Sequence, residues 1–293
     1  PEQIRDPIPE ELRERYGLCG LREALEQIHF PDSVESMQEA KRRLVFEELL
    51  VLQLGLFRLK QRTREGSKAV LQKDYSEEFF RLLPFSPTKA QVRAVREAMS
   101  DMQGGTPMSR LVQGDVGSGK TVVAAALCYS AVKNGFQAAL MAPTEILAAQ
   151  HVQSLQKLLT PAGIRIALLT GSVPAAQKRM VVEGLKTGEI SFVVGTHALL
   201  NEGVEFLRLG LVVTDEQHRF GVAQRSALAA KGDHPHMLVM SATPIPRTLA
   251  LMIYGDLDIS VLDELPPGRQ PIDTYVIDSE KRPRAFGFLQ KHI

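Results

Sequence analysis

The order of apolar and polar residues divides the chain into a helical first part and a longer part in which strands and helices alternate. Up to about residue 83 no alternating strand pattern occurs. Apolar residues recur there at steps of four and three, at Val45, Leu49, Leu52, Leu56 and Leu59. This spacing predicts a long amphipathic helix, for which Ser36 and Glu39 have the spacing of a capping box. Because Leu50, Leu54 and Phe57 widen its apolar side, we expect the helix to pack against the rest of the protein.

The end of this predicted helix is rich in basic residues, namely Arg58, Lys60, Arg62, Arg64 and Lys68. Cations at the carboxyl end of a helix are favoured by the helix dipole, so the run is typical of a solvated helix end. A contact with a phosphate backbone is the other interpretation. The sequence leaves both open.

From Arg110 onward, short apolar runs alternate with helical patterns. The predicted strands are residues 110–113, 137–141, 164–169, 190–194, 209–214 and 237–240. Predicted helices cover residues 120–133 and 145–159, and each is followed by residues that commonly stop helices. Strands joined by crossover helices form parallel sheets, so the pattern predicts an α/β fold with six strands in one sheet flanked by helices.

The chain changes character again after Leu265. Pro266, Pro267, Gly268 and Pro271 predict a stiff linker or a domain boundary, followed by an extended run over residues 272–277. We therefore predict three parts: a helical arm over residues 1–84, an α/β domain over residues 85–265, and a linker with the start of another unit over residues 266–293.

Composition narrows the class of protein. The 293 residues are 44% hydrophobic and 24% charged, which excludes a disordered or collagen-like chain. The net charge of +1 means that any contact with nucleic acid must be local. Cys19 and Cys128 are too few for a disulfide framework and lack metal-site spacing. Without an apolar run of roughly 18 residues or a signal peptide, we expect a cytoplasmic protein with no membrane contact.

A glycine-rich run follows the first predicted strand and has the P-loop pattern. It consists of Gly114, Asp115, Val116, Gly117, Ser118, Gly119, Lys120 and Thr121. Glycines let successive backbone N–H groups point at phosphate oxygens, and the start of the next helix adds partial positive charge. We expect Lys120 to reach the β- and γ-phosphates of a nucleotide and the Thr121 hydroxyl to bind Mg²⁺. The alternative is a glycine-rich turn that happens to be followed by Lys and Thr.

Two acids follow the buried strand over residues 209–214. Asp215 and Glu216 emerge at the carboxyl end of that strand, which in a parallel sheet is the edge where the P-loop also lies. Mg²⁺ prefers carboxylate ligands, so we assign Asp215 to the metal and Glu216 to the attacking water. A solvated acidic turn is the alternative.

Several segments resemble those of superfamily 2 helicases. Residues 215–218 read DEQH and resemble the second motif of that family, and Ser241, Ala242, Thr243 and Pro244 resemble its third. The run DEQHRFGV from Asp215, ATPIPRT from Ala242 and ELPPGR from Glu264 narrow the resemblance to bacterial branched-DNA translocases. Residues 43–50, RLVFEELL, resemble the segment that joins the wedge domain of such enzymes to their motor. Transcription-repair coupling translocases share the sequence of residues 219–221, but they carry a different sequence in place of DEQH at residues 215–218.

The resemblance implies roles for individual residues. Phe85 and Gln91 match the motif beside the adenine, and Gln217 and His218 would link the γ-phosphate state to Ser241 and Thr243. The residues expected to face a DNA backbone are Pro143, Thr144, Thr170, Gly171, Thr196 and His197.

Plainer interpretations remain for several of these residues. Thr144 also suits a helix cap, Gly171 with Ser172 suits a turn, and His218 suits an exposed surface position. The histidines at 151, 234 and 236 are expected to be surface or core residues.

The resemblance further implies a RecA-like motor domain and a function. That function is an ATP-dependent helicase or translocase acting on branched or duplex DNA, including forks and Holliday junctions, in repair and recombination. The expected cofactors are ATP and Mg²⁺. A monomer associated with the bacterial nucleoid is expected, with single-strand binding protein as a further partner.

The sequence covers only part of what such an enzyme needs. In the resembled family a second motor domain supplies arginines to the ATP site, and here the chain covers at most its start, from Arg269. We expect these residues to include no wedge domain. We therefore expect the 293 residues to bind Mg-ATP but to hydrolyse it slowly. The alternatives are a nucleotide-gated DNA-binding or partner-docking module without turnover, and a transcription-repair coupling type of translocase. A small-molecule phosphotransferase is disfavoured by the ordered helicase motifs.

Overall fold

The computed structural model describes residues 5–62, 66–215, 222–243, 257–264 and 276–292. The helices before the sheet are α1 (Glu10–Tyr16), α2 (Leu21–His29), α3 (Val34–Arg62), α4 (Ser76–Leu82) and α5 (Lys89–Gln103). Those within and after it are α6 (Lys120–Lys133), α7 (Glu145–Leu159), α8 (Ala175–Thr187), α9 (Val222–Ala229) and α10 (Arg282–His292). The strands are β1 (Ser109–Gly114), β2 (Gln137–Met141), β3 (Ile166–Leu169), β4 (Phe192–Gly195), β5 (Leu209–Thr214), β6 (His236–Ser241) and β7 (Asp258–Leu262).

Helix α3 forms the long helix that the apolar spacing predicted, but two details of the prediction were wrong. The helix begins at Val34. Oγ of Ser33 accepts from Ser36 N–H at 3.1 Å, and Oγ of Ser36 accepts in return from Ser33 N–H at 3.0 Å. The cap therefore lies three residues before the predicted one. Ser36 stands where the sequence pattern requires Glu or Gln, which is why the spacing of Ser36 and Glu39 was misleading.

The apolar side of α3 is also less buried than expected. Val45, Leu49, Leu54 and Phe57 are all exposed, so this stretch does not pack against the rest of the described chain. The predicted residues Leu56 and Leu59 lie outside the described side chains. No described helix combines the length and the apolar content that a membrane span needs.

The described strands form one seven-stranded parallel sheet in the order β3-β4-β2-β5-β6-β1-β7. The expected α/β fold is therefore confirmed, with one strand more than predicted. The additional strand, β7, pairs with β1 at the sheet edge, from Arg110 opposite Asp258 to Gly114 opposite Leu262.

Burial explains why these segments form strands and crossover helices. Strands β2, β4 and β5 are buried along their whole length, as expected of strands covered on both faces. Helix α6 is likewise buried from Val123 to Ala131, because it lies between the sheet and helices α4 and α5. Its buried stretch includes Ala124, Ala125, Ala126 and Ala131, whose small side chains favour close packing.

The residues that join the arm to the sheet also belong to the core. Ala69, Leu71 and Phe79 are almost fully buried in the same apolar cluster as α5 and α6. Their backbone is bound as well, since Leu71 N–H donates to the Met102 carbonyl at 3.1 Å. We therefore place the start of the packed α/β unit near residue 66, upstream of the boundary at residue 85 that the sequence suggested.

His236 of β6 connects this segment to the sheet. The Met108 N–H donates to its Nδ1 at 2.9 Å, so Nε2 carries the proton and donates to the Ala69 carbonyl at 2.8 Å. The side chain is fully buried, and this burial lowers its pKa below the ordinary value. His236 is thus a core histidine held in its neutral form.

A measurable pH dependence follows from this lowered pKa. Below pH of about 6.5 the unfolded chain protonates His236 while the folded chain does not, so the free energy of unfolding falls as the pH decreases toward the folded pKa. One such proton gives a slope of up to about 1.4 kcal/mol per pH unit. Urea unfolding between pH 7.5 and 5.5 measures it. His236→Leu should be less stable but lose part of the slope, whereas His29→Gln, at an exposed histidine, should keep it.

Candidate functional site

The predicted P-loop forms the turn between β1 and α6. Its backbone needs glycine, because Gly117 has φ 80° and Gly119 has φ 87°, a region that other residues rarely adopt. A Cβ atom at Gly119 would lie 2.1 Å from Nε2 of Gln91, so the position also has no room for a side chain. The turn is therefore built for close backbone approach, as a phosphate cradle requires.

Gln91 ties the turn to helix α5. Its Oε1 accepts from Thr88 N–H at 3.0 Å in a capping box, and its Nε2 donates to the Ser118 carbonyl at 2.8 Å. Gln91 is 1% exposed, so its amide is fixed in this position. Phe85, which precedes the helix, is exposed. Adenine recognition by Gln91 and Phe85 stays a prediction, and the structure adds that Gln91 supports the P-loop itself.

Lys120 lies where the phosphates are expected. Its Nζ donates to the carbonyl oxygens of Gly114 at 2.7 Å and Asp115 at 2.9 Å, so the ammonium group lies over the turn. The buried Oγ of Ser118 has no hydrogen-bond partner among the described residues. A buried hydroxyl without a partner is costly, and a phosphate oxygen would satisfy it. Together with the glycine cradle, these groups fit a nucleotide phosphate, and Thr121 follows directly for a bound Mg²⁺.

The first predicted acid lies at the same edge of the sheet as the P-loop. Asp215 follows β5 directly, and its N–H donates to the Met141 carbonyl at 3.0 Å. Only β6 separates β5 from β1, so the ends of these two strands are about 10 Å apart. That distance suits a lysine and a carboxylate that bind one Mg-triphosphate from two sides. Glu216, Gln217 and His218 lie outside the described residues.

His151 of α7 is part of this site, although the sequence suggested only a surface or core residue. Its Nε2 is 2.7 Å from Oδ2 of Asp215, and the two side chains are 11% and 16% exposed. The missed signal is positional: residue 151 lies three residues after the buried Ala148 and four before the buried Leu155, on the helix side that faces the sheet. A histidine in such an apolar stripe needs a polar partner, and Asp215 is that partner.

The end of β6 is joined to the P-loop strand. Nε2 of Gln113 donates to the Thr243 carbonyl at 3.1 Å, and Thr243 N–H donates to Oγ of Ser241 at 3.2 Å. Ser241 is also opposite Gln113 in the sheet register. The predicted coupling residues Ser241 and Thr243 are thus in direct contact with the strand that ends in the P-loop.

The predicted DNA-facing residues follow three neighbouring strands, β2, β4 and β3. Gly171, Thr196 and His197 line a concave surface, which encloses a pocket of about 840 Å³. Lys178 and Arg179 line the same pocket. Pro143 and Thr144 come directly after β2, at the same edge of the sheet. Thr170 is buried, with its Oγ1 3.1 Å from Oγ of Ser172. The structure therefore brings the predicted residues to one side of the nucleotide site.

Local hydrogen bonds explain how this surface is shaped. Thr144 caps α7 by accepting from Leu147 N–H at 3.3 Å, which is the plainer role the sequence allowed for it. Oε1 of Glu145 accepts from Ser172 N–H at 3.1 Å, and the bonds from Ser172 hold the pKa of that carboxyl below its usual value. Lys178 donates to the Gly171 carbonyl at 2.6 Å. The turn after β3 is thus fixed from α7 on one side and α8 on the other.

No cluster of three or more His, Cys, Asp or Glu side chains suited to a metal ion occurs among the described residues. Any Mg²⁺ at the nucleotide site would therefore depend on phosphate oxygens as well as on Thr121 and Asp215. This is the usual situation for Mg²⁺, which keeps few protein ligands.

Comparison with known families identifies the class of protein. Residues 88–252, more than half of the chain, match the family model described as DEAD/DEAH box helicase. The chain belongs to the DEAD/DEAH box helicase family. Within that family it is 49% identical over 294 residues to the ATP-dependent DNA helicase RecG of Synechocystis sp., and 46% identical over 295 residues to that of Bacillus subtilis. These alignments cover 99% and 100% of this helicase chain, but 35% and 43% of the two relatives.

Solved structures agree with this assignment. A structure of RecG bound to a three-way DNA junction matches 98% of this helicase chain and 39% of its own chain, with a TM-score of 0.80 and 40% sequence identity. The DUF1998 helicase MrfA, bound to DNA and AMPPNP, matches with a TM-score of 0.55 at 18% identity, which shows the shared fold alone. The RecA-like motor fold expected from the sequence is therefore confirmed.

Proposed function

We propose that this chain is the ATP-binding motor part of a RecG-type helicase, which couples ATP hydrolysis to movement along branched DNA. The observation that carries the proposal is the shared sheet edge, where the Lys120 turn and Asp215 lie beside the concave surface of Gly171, Thr196 and His197. The relatives are named ATP-dependent DNA helicases, and a RecG structure that this chain matches was solved on a three-way DNA junction.

ATP hydrolysis at this site would depend on positive charge and N–H donors that are in position before the nucleotide binds. The amides of the P-loop and the Lys120 ammonium bind phosphate oxygens, where negative charge accumulates during phosphoryl transfer. Thr121 and Asp215 would hold Mg²⁺, which when bound neutralises part of that charge. Glu216 is assigned to orient or deprotonate the attacking water. Gln217 and His218 are assigned to link the γ-phosphate state to the end of β6.

The proposed DNA-binding surface consists of small polar side chains and backbone N–H donors. Such groups contact phosphates and position the protein without reading the base sequence, which suits an enzyme that recognises the shape of a junction. The bond between Gln113 and Thr243 gives a direct connection from the P-loop strand to the segment after β6. We infer that a change in nucleotide state alters this segment and thereby the grip on DNA.

The remaining partners follow from the proposed class. Forks and Holliday junctions are the proposed substrates, and the wedge and second motor domains would come from further parts of the enzyme. We extend the proposal to Mg²⁺ as the metal, a monomer in the bacterial cytoplasm and nucleoid, and single-strand binding protein as a partner.

The ATPase rate with and without forked DNA tests the function. It should be measured on the 293-residue chain and on a version extended past Ile293 with a second motor domain. We expect the 293 residues to bind ATP with little turnover, and the extended version to be stimulated by forks, because arginines supplied by the second domain are worth roughly a thousandfold or more. A chain that binds no ATP would contradict the proposal. Binding without fork-stimulated turnover in the extended version would favour a nucleotide-gated binding module.

A further inference from the structure

The contact between His151 and Asp215 joins a helix to the proposed metal ligand. Nε2 of His151 lies 2.7 Å from Oδ2 of Asp215, within ordinary hydrogen-bond distance. Both side chains are largely buried, at 11% and 16% exposure. Shielding from water strengthens such a bond and restricts the rotation of the carboxylate.

Helix α7 makes His151 a rigid support. Ala148, Val152 and Leu155 are buried in the main apolar cluster, so the helix cannot shift without disturbing the core. The imidazole is therefore fixed relative to the sheet. Asp215 is the first residue after β5, and its backbone N–H donates to the Met141 carbonyl at 3.0 Å. The sheet thus holds its backbone, while the contact with Nε2 of His151 orients one oxygen of its carboxylate.

The first residue of α7 lies at the proposed DNA surface. The carboxylate of Glu145, the first residue of the helix, accepts from Ser172 N–H in the turn after β3. His151 lies six residues further on, or about 9 Å along the helix axis. One helix therefore contacts the DNA-facing turn at its first residue and the metal-binding carboxylate less than two turns later.

We propose that His151 is a positioning residue, which orients the Asp215 carboxylate for the Mg²⁺ that accompanies the nucleotide. The proposal rests on the proposed ATP site and adds a residue outside its sequence motifs. Groups that hydrogen-bond a metal ligand typically change metal affinity by about 10- to 100-fold when they are removed. A residue that only fills space in the core would have no such selective effect.

Fluorescence titration with the nonhydrolysable analogue mant-AMPPNP tests this role. The 293-residue chain is titrated in EDTA and at increasing Mg²⁺ concentrations. For His151→Ala we expect the Mg²⁺ concentration at half-maximal tightening to rise about tenfold or more, with the affinity in EDTA unchanged. His151→Gln, whose amide can still donate to Asp215, should restore most of the Mg²⁺ response. Gln153→Ala, at an exposed residue of the same helix, is the matched control and should behave like the unmodified chain.

Each contrary outcome points to a different error. If His151→Ala keeps the Mg²⁺ midpoint of the unmodified chain, the positioning role is overturned. If His151→Gln is as defective as His151→Ala, or if affinity in EDTA falls equally, the ring acts through packing and the proposal also fails. Thermal unfolding of each variant identifies a loss of folding. An unmodified chain that binds no analogue under any condition would instead overturn the proposed ATP site itself.

Discussion

Replacing Lys120 by alanine is expected to lower fork-stimulated ATP turnover by about a hundred- to a thousand-fold. Removal of one preorganised donor from a site of developing negative charge typically costs this much. The Nζ of Lys120 already lies over the P-loop, bonded to the carbonyl oxygens of Gly114 and Asp115. Its charge is therefore in place before the phosphates arrive, and alanine supplies neither charge nor reach. Steady-state ATPase of the extended version measures the loss.

Helix α6 provides a matched control for this change. Lys120 is its first residue and Lys133 its last, and Lys133 pairs with Glu78 at 3.1 Å in a half-exposed position. Exposed pairs of this kind contribute about 0–1 kcal/mol, so Lys133→Ala should leave turnover within about twofold. Equal losses for the two variants would mean that general destabilisation of α6 explains the effect. An unaffected Lys120→Ala would remove the P-loop lysine from the mechanism.

The centre of the sheet could be predicted from the sequence because its signals are local and redundant. Strands β2 and β5 and helices α6 and α7 begin and end at the predicted residues. The strands are continuous apolar runs, and the helices have apolar residues at helical spacing followed by a clear stop. The P-loop adds a chemical marker between β1 and α6, and the structure places that marker and Asp215 at one sheet edge.

The missed features depend on contacts between distant parts of the chain. Strand β7 is partly exposed, with Asp258 and Val261 facing solvent, so it lacks the continuous apolar run of a central strand. His151 and Asp215 are 64 residues apart in the sequence, so no local pattern of residues could predict their contact. The same holds for Leu71 and Phe79, which join the core of a sheet whose first strand begins only at Ser109.

The exposed side of α3 marks a different limit of sequence reasoning. Apolar spacing predicts that Leu49 and Phe57 are covered, but it does not identify the partner. In the described chain these residues are exposed. The periodicity therefore predicts a helix correctly here but not its burial.

The structure gives the motif RLVFEELL a physical role in the arm. The Arg43 side chain is fully buried and forms two short bonds, from Nη2 to Oδ1 of Asp6 at 2.7 Å and from Nη1 to Oε2 of Glu47 at 2.6 Å. Asp6 also accepts from the backbone N–H groups of Ile8 and Leu21. Burial raises the pKa of Asp6, but these bonds and Arg43 outweigh it and hold the pKa below its usual value. Arg43 therefore connects α3 to the start of the chain and to the first turn of α2.

Arg43→Ala is expected to destabilise the arm by about 2 kcal/mol or more, because it empties a fully buried site and removes two charge-assisted hydrogen bonds, to Asp6 and Glu47. Urea unfolding monitored by hydrogen exchange in α2 and α3 measures the change. Arg22→Ala is the matched control, since Arg22 pairs with Glu26 on the exposed surface of α2, with side chains 67% and 62% exposed. Its cost should stay below about 0.5 kcal/mol. If Arg43→Ala and Arg22→Ala lower the free energy of unfolding equally, the buried network does not stabilise the arm. The contact from α3 to Asp6 would then be incidental to the motif.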